Sequence, residues 1–332
     1  MKTMEYVNFG SAGVKVSRLA FGLGFRGQKD EAEAQRVIEH ALDLGINLID
    51  CANIYGPTGE DGPWVGHSET ILGKALKGRR DEVVITTKAA GPIGSGPNDQ
   101  GVSRFHLMRE VERSLKRLDT DHIDVYLMHD FDPSTPLEET VRALDDLVRS
   151  GKVRYPGCCN YAAWQVCKAL WIADDANAAP YICVQNPYSL LNRRIEEEMF
   201  GLVRDRGLGV MAYSPLAIGL LSGAYRADAP APAGSLWSAV GHRKERFAAT
   251  MRGQVSEVVS TLHDLAAEAG RTPAQLALAW VLSHPEVTTA ISGSDRVEHL
   301  DDVVGCIGWT LEDSLRRRLD EVSSGLGLYL DG

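Results

Sequence analysis

SLKRLDTDHIDVYLMH, residues 114–129, shows most directly how this chain is organised. Its first part has the spacing of a helix that ends near residue 118, and IDVYLMH (123–129) is a mostly apolar run of strand length. Continuous rather than alternating apolar residues are typical of a parallel strand, which helices cover on both faces. The stretch therefore predicts one helix-then-strand unit of an α/β protein.

The same alternation recurs along the rest of the chain. Seven other apolar runs of strand length are separated by segments with helical patterning. They are RLAFG (18–22), INLID (46–50), VVITTK (83–88), VRYPGC (153–158), YICVQN (181–186), GVMAY (209–213) and VTTAI (287–291). Eight strands that alternate with helices predict a closed (β/α)8 TIM barrel.

No Pro-, Gly- or Ser-rich linker interrupts this alternation, so we expect a single domain over residues 1–332. A β-hairpin is predicted at about 6–19, before the first barrel strand. Long loops at about 56–67, 89–102 and 217–250 follow strands, which places them at the carboxyl end of the barrel. Their Gly and Pro content predicts irregular structure.

Capping residues predict several helix ends. A helix from Asp30 to Leu44 is followed by Gly45, which is a usual residue at this position. Ser103 is expected to cap a later helix, and Thr272-Pro273 to begin another, with Gln275 as its capping-box partner.

Composition restricts the classes of partner. A net charge of −10 disfavours nucleic acid. No apolar run has the length of a membrane span, and MKTMEYVNFG lacks the apolar core of a signal peptide, so we expect no membrane partner and a cytoplasmic location. The six cysteines lack zinc-ligand spacing, so we expect no metal site, and several lie in apolar strand-like runs, which fits buried reduced thiols. The sequence carries no signal for an oligomeric state.

One motif, Gly22-Leu-Gly24-Phe-Arg-Gly27, matches a different fold, because it has the GxGxxG spacing of a Rossmann dinucleotide site. It follows a strand, and Asp50 ends the next one. However, the predicted helix begins only near Asp30, and the alternation continues to eight strands where a Rossmann domain has about six. We therefore expect a tight loop at the barrel mouth, near a cofactor or substrate.

Four proton-handling side chains occur at or just after predicted strand ends: Asp50, Tyr55, Lys88 and His129. In a parallel barrel these ends meet at one rim, so the side chains should converge. A phenol with a pKa of about 10 is a weak acid near neutral pH, and Lys88 would lower that pKa. Asp50 would pair with the lysine, and His129 would bind the substrate oxygen or assist proton transfer.

This set suits protonation of a carbonyl oxygen while hydride reaches the carbonyl carbon. None of the four residues supplies hydride, which implies a nicotinamide cofactor. Taken singly, each has a structural alternative, such as a helix cap or ion pair for Asp50 and a surface position for Lys88. Their coincidence at equivalent strand ends favours catalysis.

Longer motifs surround these positions. They are DCANIYG (50–56), GHSE (66–69), ITTK (85–88), the 114–129 stretch, TPLEET (135–140), GKVRYPGCCN (151–160), AYSPLAIGLLSG (212–223) and ISGSDR (291–296). Together they resemble the aldo-keto reductase superfamily over nearly the whole chain, in the style of its bacterial sugar and aldehyde reductases and of potassium-channel β subunits. The resemblance implies reduction of a small carbonyl substrate, with Tyr55 as general acid. It also implies that Lys88 and Asp50 adjust the phenol's pKa and that His129 orients the carbonyl.

The resemblance further implies a cofactor path. Asn160 and Gln185 match the pair that binds the nicotinamide carboxamide, and Tyr213 matches the ring that stacks on nicotinamide. The other cofactor positions are Gly24, Asp50, Ser214, Leu216 and Gly219, with Gly293, Ser294, Arg296 and His299 around the adenosine 2′-phosphate.

Several positions depart from the pattern of the superfamily: His299 replaces a common glutamine or arginine, Cys51 replaces a common threonine, and two further departures lie along the cofactor path. Cys159 replaces a usual serine, and Asp295 stands where a basic residue is common, although Arg296 beside it is basic. We therefore expect NADPH as the cofactor, with NADH as the alternative.

The sequence leaves alternatives open for the residues of the substrate pocket and for the class of function. Arg26, Trp64 and Trp237 are predicted to reach the substrate, although a structural role is an equal alternative for each tryptophan. A regulatory subunit of the channel β type would usually carry asparagine in place of His129, so the histidine favours an enzyme. A lyase that forms a Schiff base on Lys88 is disfavoured, because Asp50 would keep the amine charged.

Overall fold

A computed structural model describes residues 4–24, 30–56, 58–59, 62–63, 65–239 and 241–330. Within these residues eight parallel strands close into a barrel. They are β3 (Leu19–Gly22), β4 (Leu48–Asp50), β7 (Val84–Ala89), β8 (Ile123–Met128), β9 (Val153–Cys159), β10 (Cys183–Pro187), β11 (Gly209–Tyr213) and β12 (Thr289–Ser292). The predicted TIM barrel is confirmed and the Rossmann alternative is excluded.

The barrel closes where β12 pairs with β3, with Ala290 beside Leu19 and Ser292 beside Phe21. Every other barrel strand pairs in parallel with its neighbours in chain order. All the catalytic candidates that follow strands therefore lie at one rim, because parallel strands end on the same side.

The predicted N-terminal hairpin is confirmed as β1 (Tyr6–Asn8) and β2 (Lys15–Ser17), which pair antiparallel. Its turn closes the opposite end of the barrel. Phe9 is fully buried among side chains of the barrel interior. Gly10 has a φ of +59°, and a Cβ there would lie 2.5 Å from the nitrogen of Gly209, so only glycine allows this close approach.

Helices cover the outside of the barrel. They are α1 (Glu31–Asp43), α2 (His67–Ala75), α3 (Arg104–Leu118), α4 (Leu137–Arg149), α5 (Ala163–Asp175), α6 (Met199–Arg206), α7 (Leu236–Ala239), α8 (Gly241–Thr250), α9 (Gln254–Glu268), α10 (Pro273–Leu282), α11 (Val297–Val304) and α12 (Asp313–Val322). Two short 3₁₀ turns lie at Arg80–Glu82 and Arg194–Glu196. No described helix is long and apolar enough to cross a membrane.

The predicted N-caps Ser103 and Thr272 form, Asp30 at the predicted start of α1 is also an N-cap, and one detail is wrong. Asp30, Ser103 and Thr272 each accept a hydrogen bond from a backbone N–H in the first turn of a helix. The side chain of Gln275, however, donates to Asp302 on α11 instead of returning to the cap. A tertiary acceptor replaces the capping-box partner, so this amide ties α10 to α11.

Two of the long loops are more ordered than their Gly and Pro content predicts. The first contains a two-stranded ribbon, β5 (Thr58–Gly59) and β6 (Gly62–Pro63). The loop at 217–250 contains α7 and α8. Tertiary packing accounts for the order in the second loop, because Trp237 and Phe247 lie in the core with their ring centroids 6.0 Å apart.

Candidate functional site

The structure brings Asp50, Tyr55, Lys88 and His129 together at the carboxyl rim of the barrel. Asp50 ends β4, Lys88 lies near the end of β7 and His129 directly follows β8. The Nζ atom of Lys88 lies 2.7 Å from Oδ2 of Asp50 and 4.6 Å from the centroid of the Tyr55 ring. The Tyr55 hydroxyl lies 3.3 Å from Nε2 of His129. The phenol therefore lies between an ammonium group and an imidazole.

Asp50 connects three strands of the barrel interior. Its Oδ1 atom accepts hydrogen bonds from the Thr86 hydroxyl at 2.6 Å and from the Gln185 amide at 2.9 Å. Thr86 is a site residue that we did not predict. Its signal in the sequence was the two-residue spacing from Lys88, which places both side chains on the same face of a strand.

Lys88 is fully buried and makes a second hydrogen bond, 2.9 Å long, to the carbonyl oxygen of Cys51. Burial alone would lower the pKa of this amine, but the negative charge of Asp50 and the adjacent Tyr55 raise that pKa above its ordinary value. Lys88 therefore stays an ammonium throughout the neutral range.

The pKa of Tyr55 moves in the direction opposite to our expectation. Burial is the main cause that raises this pKa above its ordinary value; Lys88 lowers it and Asp50 raises it. The ammonium acts as expected, but the neighbouring carboxylate cancels part of its field. The phenol therefore keeps its proton at neutral pH, in the form that can donate it.

His129 is a neutral imidazole. Burial, followed by the repulsion of Lys88, lowers its pKa to about 3. Its ring meets the Tyr55 ring edge to face, with the centroids 5.5 Å apart. The Nδ1 atom is buried without a hydrogen-bond partner among the described residues. A neutral imidazole carries a single N–H group, so Nε2 either donates or accepts at the Tyr55 hydroxyl.

The three predicted nicotinamide residues lie beside this group. Asn160 has a left-handed φ of +59°, and its amide nitrogen donates to the carbonyl oxygen of His129 at 3.0 Å. Its amide oxygen accepts from the Tyr213 hydroxyl at 2.9 Å. Gln185 donates to Asp50, and among the described residues its amide oxygen receives a long 3.6 Å contact from the Cys159 thiol. Two amides and an aromatic ring are the types of group that a nicotinamide carboxamide and ring require.

The predicted pyrophosphate segment follows β11 and has an unusual backbone. Ser214, Ala217 and Ile218 have left-handed φ angles of 50°, 49° and 54°, and Gly219 has a φ of 85°. Such angles are strained for residues other than glycine, and they cluster at sites of function. Leu216 lies within this segment, and its carbonyl oxygen accepts from the amide of Leu221.

The predicted phosphate segment follows β12. The hydroxyls of Ser292 and Ser294 are 2.9 Å apart, and a Cβ at Gly293 would meet nothing within 4 Å. The helix here, α11, begins at Val297 with Arg296 as its N-cap residue. Arg296 and His299 are exposed at this helix end, where the Arg296 guanidinium and the N-terminal helix dipole favour an anion.

Of the remaining predicted positions, the structure describes Gly24 and Trp237. Arg26 and Trp64 lie outside the described residues. A Cβ at Gly24, just beyond β3, would meet no atom of the described residues within 4 Å. Trp237 is only 3% exposed, and its indole N–H donates to the carbonyl oxygen of Ile218 at 3.0 Å. Trp237 thus supports the strained segment after β11, and its contact with substrate stays a prediction.

Comparison with known proteins agrees with this geometry. The family model described as the aldo/keto reductase family matches residues 18–324. The chain is 40% identical over 332 residues to an oxidoreductase designated YrpG of Bacillus subtilis (strain 168), which covers 98% of this chain and 97% of that protein. It is 37% identical over 305 residues to a probable voltage-gated potassium channel subunit beta of Arabidopsis thaliana, with 90% of each chain covered. It is 32% identical over 316 residues to L-glyceraldehyde 3-phosphate reductase of Escherichia coli O157:H7, with 91% of this chain and 87% of that protein covered.

Proposed function

The chain belongs to the aldo/keto reductase family, and from this premise we propose that it reduces an aldehyde or ketone to an alcohol, with Tyr55 as the general acid. The family and the oxidoreductase relatives support oxidoreduction in general. The observation that carries the finer proposal is the position of a protonated phenol between the Lys88 ammonium and the neutral His129 imidazole.

Each neighbour of Tyr55 has a separate task in this proposal. As a carbonyl oxygen gains negative charge, the Tyr55 hydroxyl gives its proton to that oxygen. The phenolate that remains is stabilised by the Lys88 ammonium, 4.6 Å from the ring centroid. The Nε2–H tautomer of His129 donates a hydrogen bond to the same carbonyl oxygen and so holds it near the phenol.

A nicotinamide cofactor, when bound, supplies the hydride that no residue of this site can provide. Asn160 and Gln185 would bind its carboxamide, and Tyr213 would stack on its ring. The segments with Ser214 and Gly219 and with Ser294 would bind its phosphates. Arg296 and His299 favour NADPH through attraction to a 2′-phosphate, whereas Asp295 acts in the opposite direction.

The test is a steady-state assay of the purified chain with NADPH and with NADH, against a panel of aldehydes and ketones. We expect turnover with at least one carbonyl and tighter binding of NADPH by fluorescence titration. Tyr55→Phe should lower kcat by about 100-fold or more, because general acid catalysis is typically worth that much. Its affinity for the cofactor should be unchanged. Full turnover in Tyr55→Phe would reject the assigned general acid.

A regulatory role is the second candidate, because several relatives are named as probable or putative voltage-gated potassium channel subunits beta. Such a subunit would bind the nicotinamide cofactor and need not reduce a carbonyl. Cofactor binding without turnover across the whole panel would support this alternative. Turnover that depends on Tyr55 would support the reductase.

A Schiff-base lyase on Lys88 is less compatible with the geometry. An amine attacks a carbonyl only when it is neutral, but Asp50 helps to raise the pKa of Lys88 above its ordinary value. Borohydride treatment with substrate and without nicotinamide should therefore leave Lys88 unmodified.

A further inference from the structure

A second buried ionic group lies on the outer side of β7, between that strand and helices α2 and α3. We call it the outer network; its members are Asn53, Glu69, Thr87, Glu110 and Arg117. The side chains of Glu69 and Glu110 are both 0% exposed. No residue of this network touches the phenol or the imidazole in the described hydrogen bonds.

One arm of the network holds the loop that carries Tyr55. The Asn53 amide donates to Oε2 of Glu110 at 3.0 Å. Glu110 also pairs with Arg113 at 2.8 Å and with Arg117 at 3.7 Å. Asn53 precedes Tyr55 by two residues, so Glu110 on α3 restrains the loop from the outside of the barrel.

The other arm reaches the strand that carries Lys88. Oε1 of Glu69 accepts from the Thr87 hydroxyl at 2.6 Å, and its Oε2 accepts from Nε of Arg117 at 2.6 Å. Thr87 directly precedes Lys88 and presents its side chain to the opposite face of β7. Arg117 therefore connects the two arms, because it contacts both Glu69, which holds Thr87, and Glu110, which holds Asn53.

The path of Arg117 depends on a glycine. Gly66 has a φ of +77°, and a Cβ at this position would lie 2.3 Å from Cδ of Arg117. The same turn is attached to the Tyr55 loop, because the amide of Ser68 donates to the carbonyl oxygen of Tyr55 at 3.1 Å and the Ser68 hydroxyl donates to that of Ala52 at 3.0 Å.

Stability alone is a poor reason to bury two carboxylates here. Well-packed apolar side chains are often as stable as a buried ion pair or more so, while ionic groups hold a more specific geometry. The loop from Cys51 to Tyr55 has few backbone bonds to the barrel: Cys51 donates to Thr86, and Asn53 donates to Lys88 over 3.3 Å. Side chains must therefore fix most of its position.

We propose that Glu110 and Asn53 act as positioning residues, which set the Tyr55 hydroxyl against Lys88 and His129 through the outer network. The inference rests on the proposed reduction for its kinetic consequences, but not for its structural ones. A displacement of about 1 Å at a reacting group costs up to about 100-fold in rate. Loss of this support should thus lower kcat and leave cofactor affinity unchanged.

The test exchanges the amide and the carboxylate of the Asn53–Glu110 hydrogen bond between the two positions. Asn53→Asp places a second carboxylate against Glu110, and we expect kcat to fall between about 10-fold and 100-fold. The double variant Asn53→Asp/Glu110→Gln restores a donor opposite an acceptor and keeps the net charge, so kcat should return to within about threefold. Glu112→Gln is the matched control, since Glu112 is exposed on the same helix and, among the described ion pairs, has Lys152 as its one partner. Asn53→Ala, which removes the donor without adding charge, serves if the first variant does not fold.

Two readouts separate this inference from the proposed function. Hydrogen–deuterium exchange of the segment 51–56 should increase in Asn53→Asp and Asn53→Ala but not in Glu112→Gln, and the double variant should restore protection. Wild-type protein that reduces no carbonyl would reject the proposed function and leave this exchange test intact. Unchanged exchange in the single variants, or a kcat loss that the double variant does not recover, would overturn the inference.

Discussion

Strand β7 contributes to two buried ionic groups: the inner group of Asp50, Tyr55, Lys88 and His129, and the outer network. The two groups differ in how much hydrogen-bonding capacity remains for a substrate. Lys88 faces the barrel interior and pairs with Asp50, whereas its neighbour Thr87 faces outward to Glu69. In the inner group the Tyr55 hydroxyl, which lies 3.3 Å from Nε2 of His129, has hydrogen-bonding capacity left for a substrate. In the outer network both carboxylates are fully engaged by side chains of the protein. The inner group is thus suited to chemistry and the outer one to support.

The largest effect should come from breaking the inner pair. Lys88→Met leaves Asp50 as an uncompensated buried charge, which should destabilise the fold by about 3 to 5 kcal/mol. It should also lower kcat by about 100-fold or more, because the phenolate loses its stabilising charge. Denaturant unfolding and turnover measure the two effects. Lys88→Met/Asp50→Asn should regain stability without regaining turnover, and recovery of both would contradict the assigned role of the ammonium.

Removal of the cation from the outer network should lower stability more than turnover. Arg117→Met leaves two buried carboxylates without their shared cation, at a cost of about 3 kcal/mol. We expect a kcat loss below about 100-fold, since only the position of Tyr55 changes. Lys116→Met, at an exposed neighbour on α3, is the control for denaturant unfolding and turnover. Equal losses in the two variants would show that Arg117 has no special role.

The pH dependence of stability should include a contribution from the inner group, through His129. The folded pKa of His129 is lowered to about 3, whereas an unfolded histidine has a pKa of about 6.5. The unfolded chain therefore binds more protons in this window, so stability is lost as pH falls from about 6.5 to 3. His129→Asn should make the free energy of unfolding less dependent on pH there, and an unchanged slope would contradict a neutral, buried imidazole.

The smallest effect should come from Arg113, an exposed residue that borders the outer network. Arg113 pairs with Glu110, but its side chain is 45% exposed. Arg113→Ala should therefore cost less than about 1 kcal/mol and leave kcat nearly unchanged, because Arg117 and Asn53 still engage the carboxylate. Thermal unfolding together with turnover measures this, and a loss as large as that of Arg117→Met would place the key cation at residue 113 instead.

Local sequence signals predicted most of the fold. Apolar runs of strand length located the barrel strands, and Asp30, Ser103 and Thr272 marked helix starts because N-caps depend on adjacent residues. The helices within 217–250 and the contact of Gln275 with Asp302 were missed. Both depend on packing between segments that are distant along the chain, which periodicity does not report.

The candidate site divides in the same way. Residue types at strand ends predicted that Asp50, Tyr55, Lys88 and His129 would meet, because parallel strands of a barrel end at a common rim. The net direction of the Tyr55 pKa was not predictable, since burial and the opposing charges of Lys88 and Asp50 contribute to it together. The roles of Glu69, Glu110 and Arg117 were not predictable either, because they depend on burial and on contacts between residues that are distant along the chain.

Patterns in the amino-acid sequence were therefore enough to predict the barrel, the N-terminal hairpin and the types of side chain at the rim. These follow from periodicity, capping and strand direction, which are properties of neighbouring residues. The proton on Tyr55, the neutral state of His129 and the support of the inner group by a second ionic group on the outer side of β7 became evident from the folded arrangement. Those properties depend on burial and on distances between atoms far apart in sequence, because electrostatic energy varies with both.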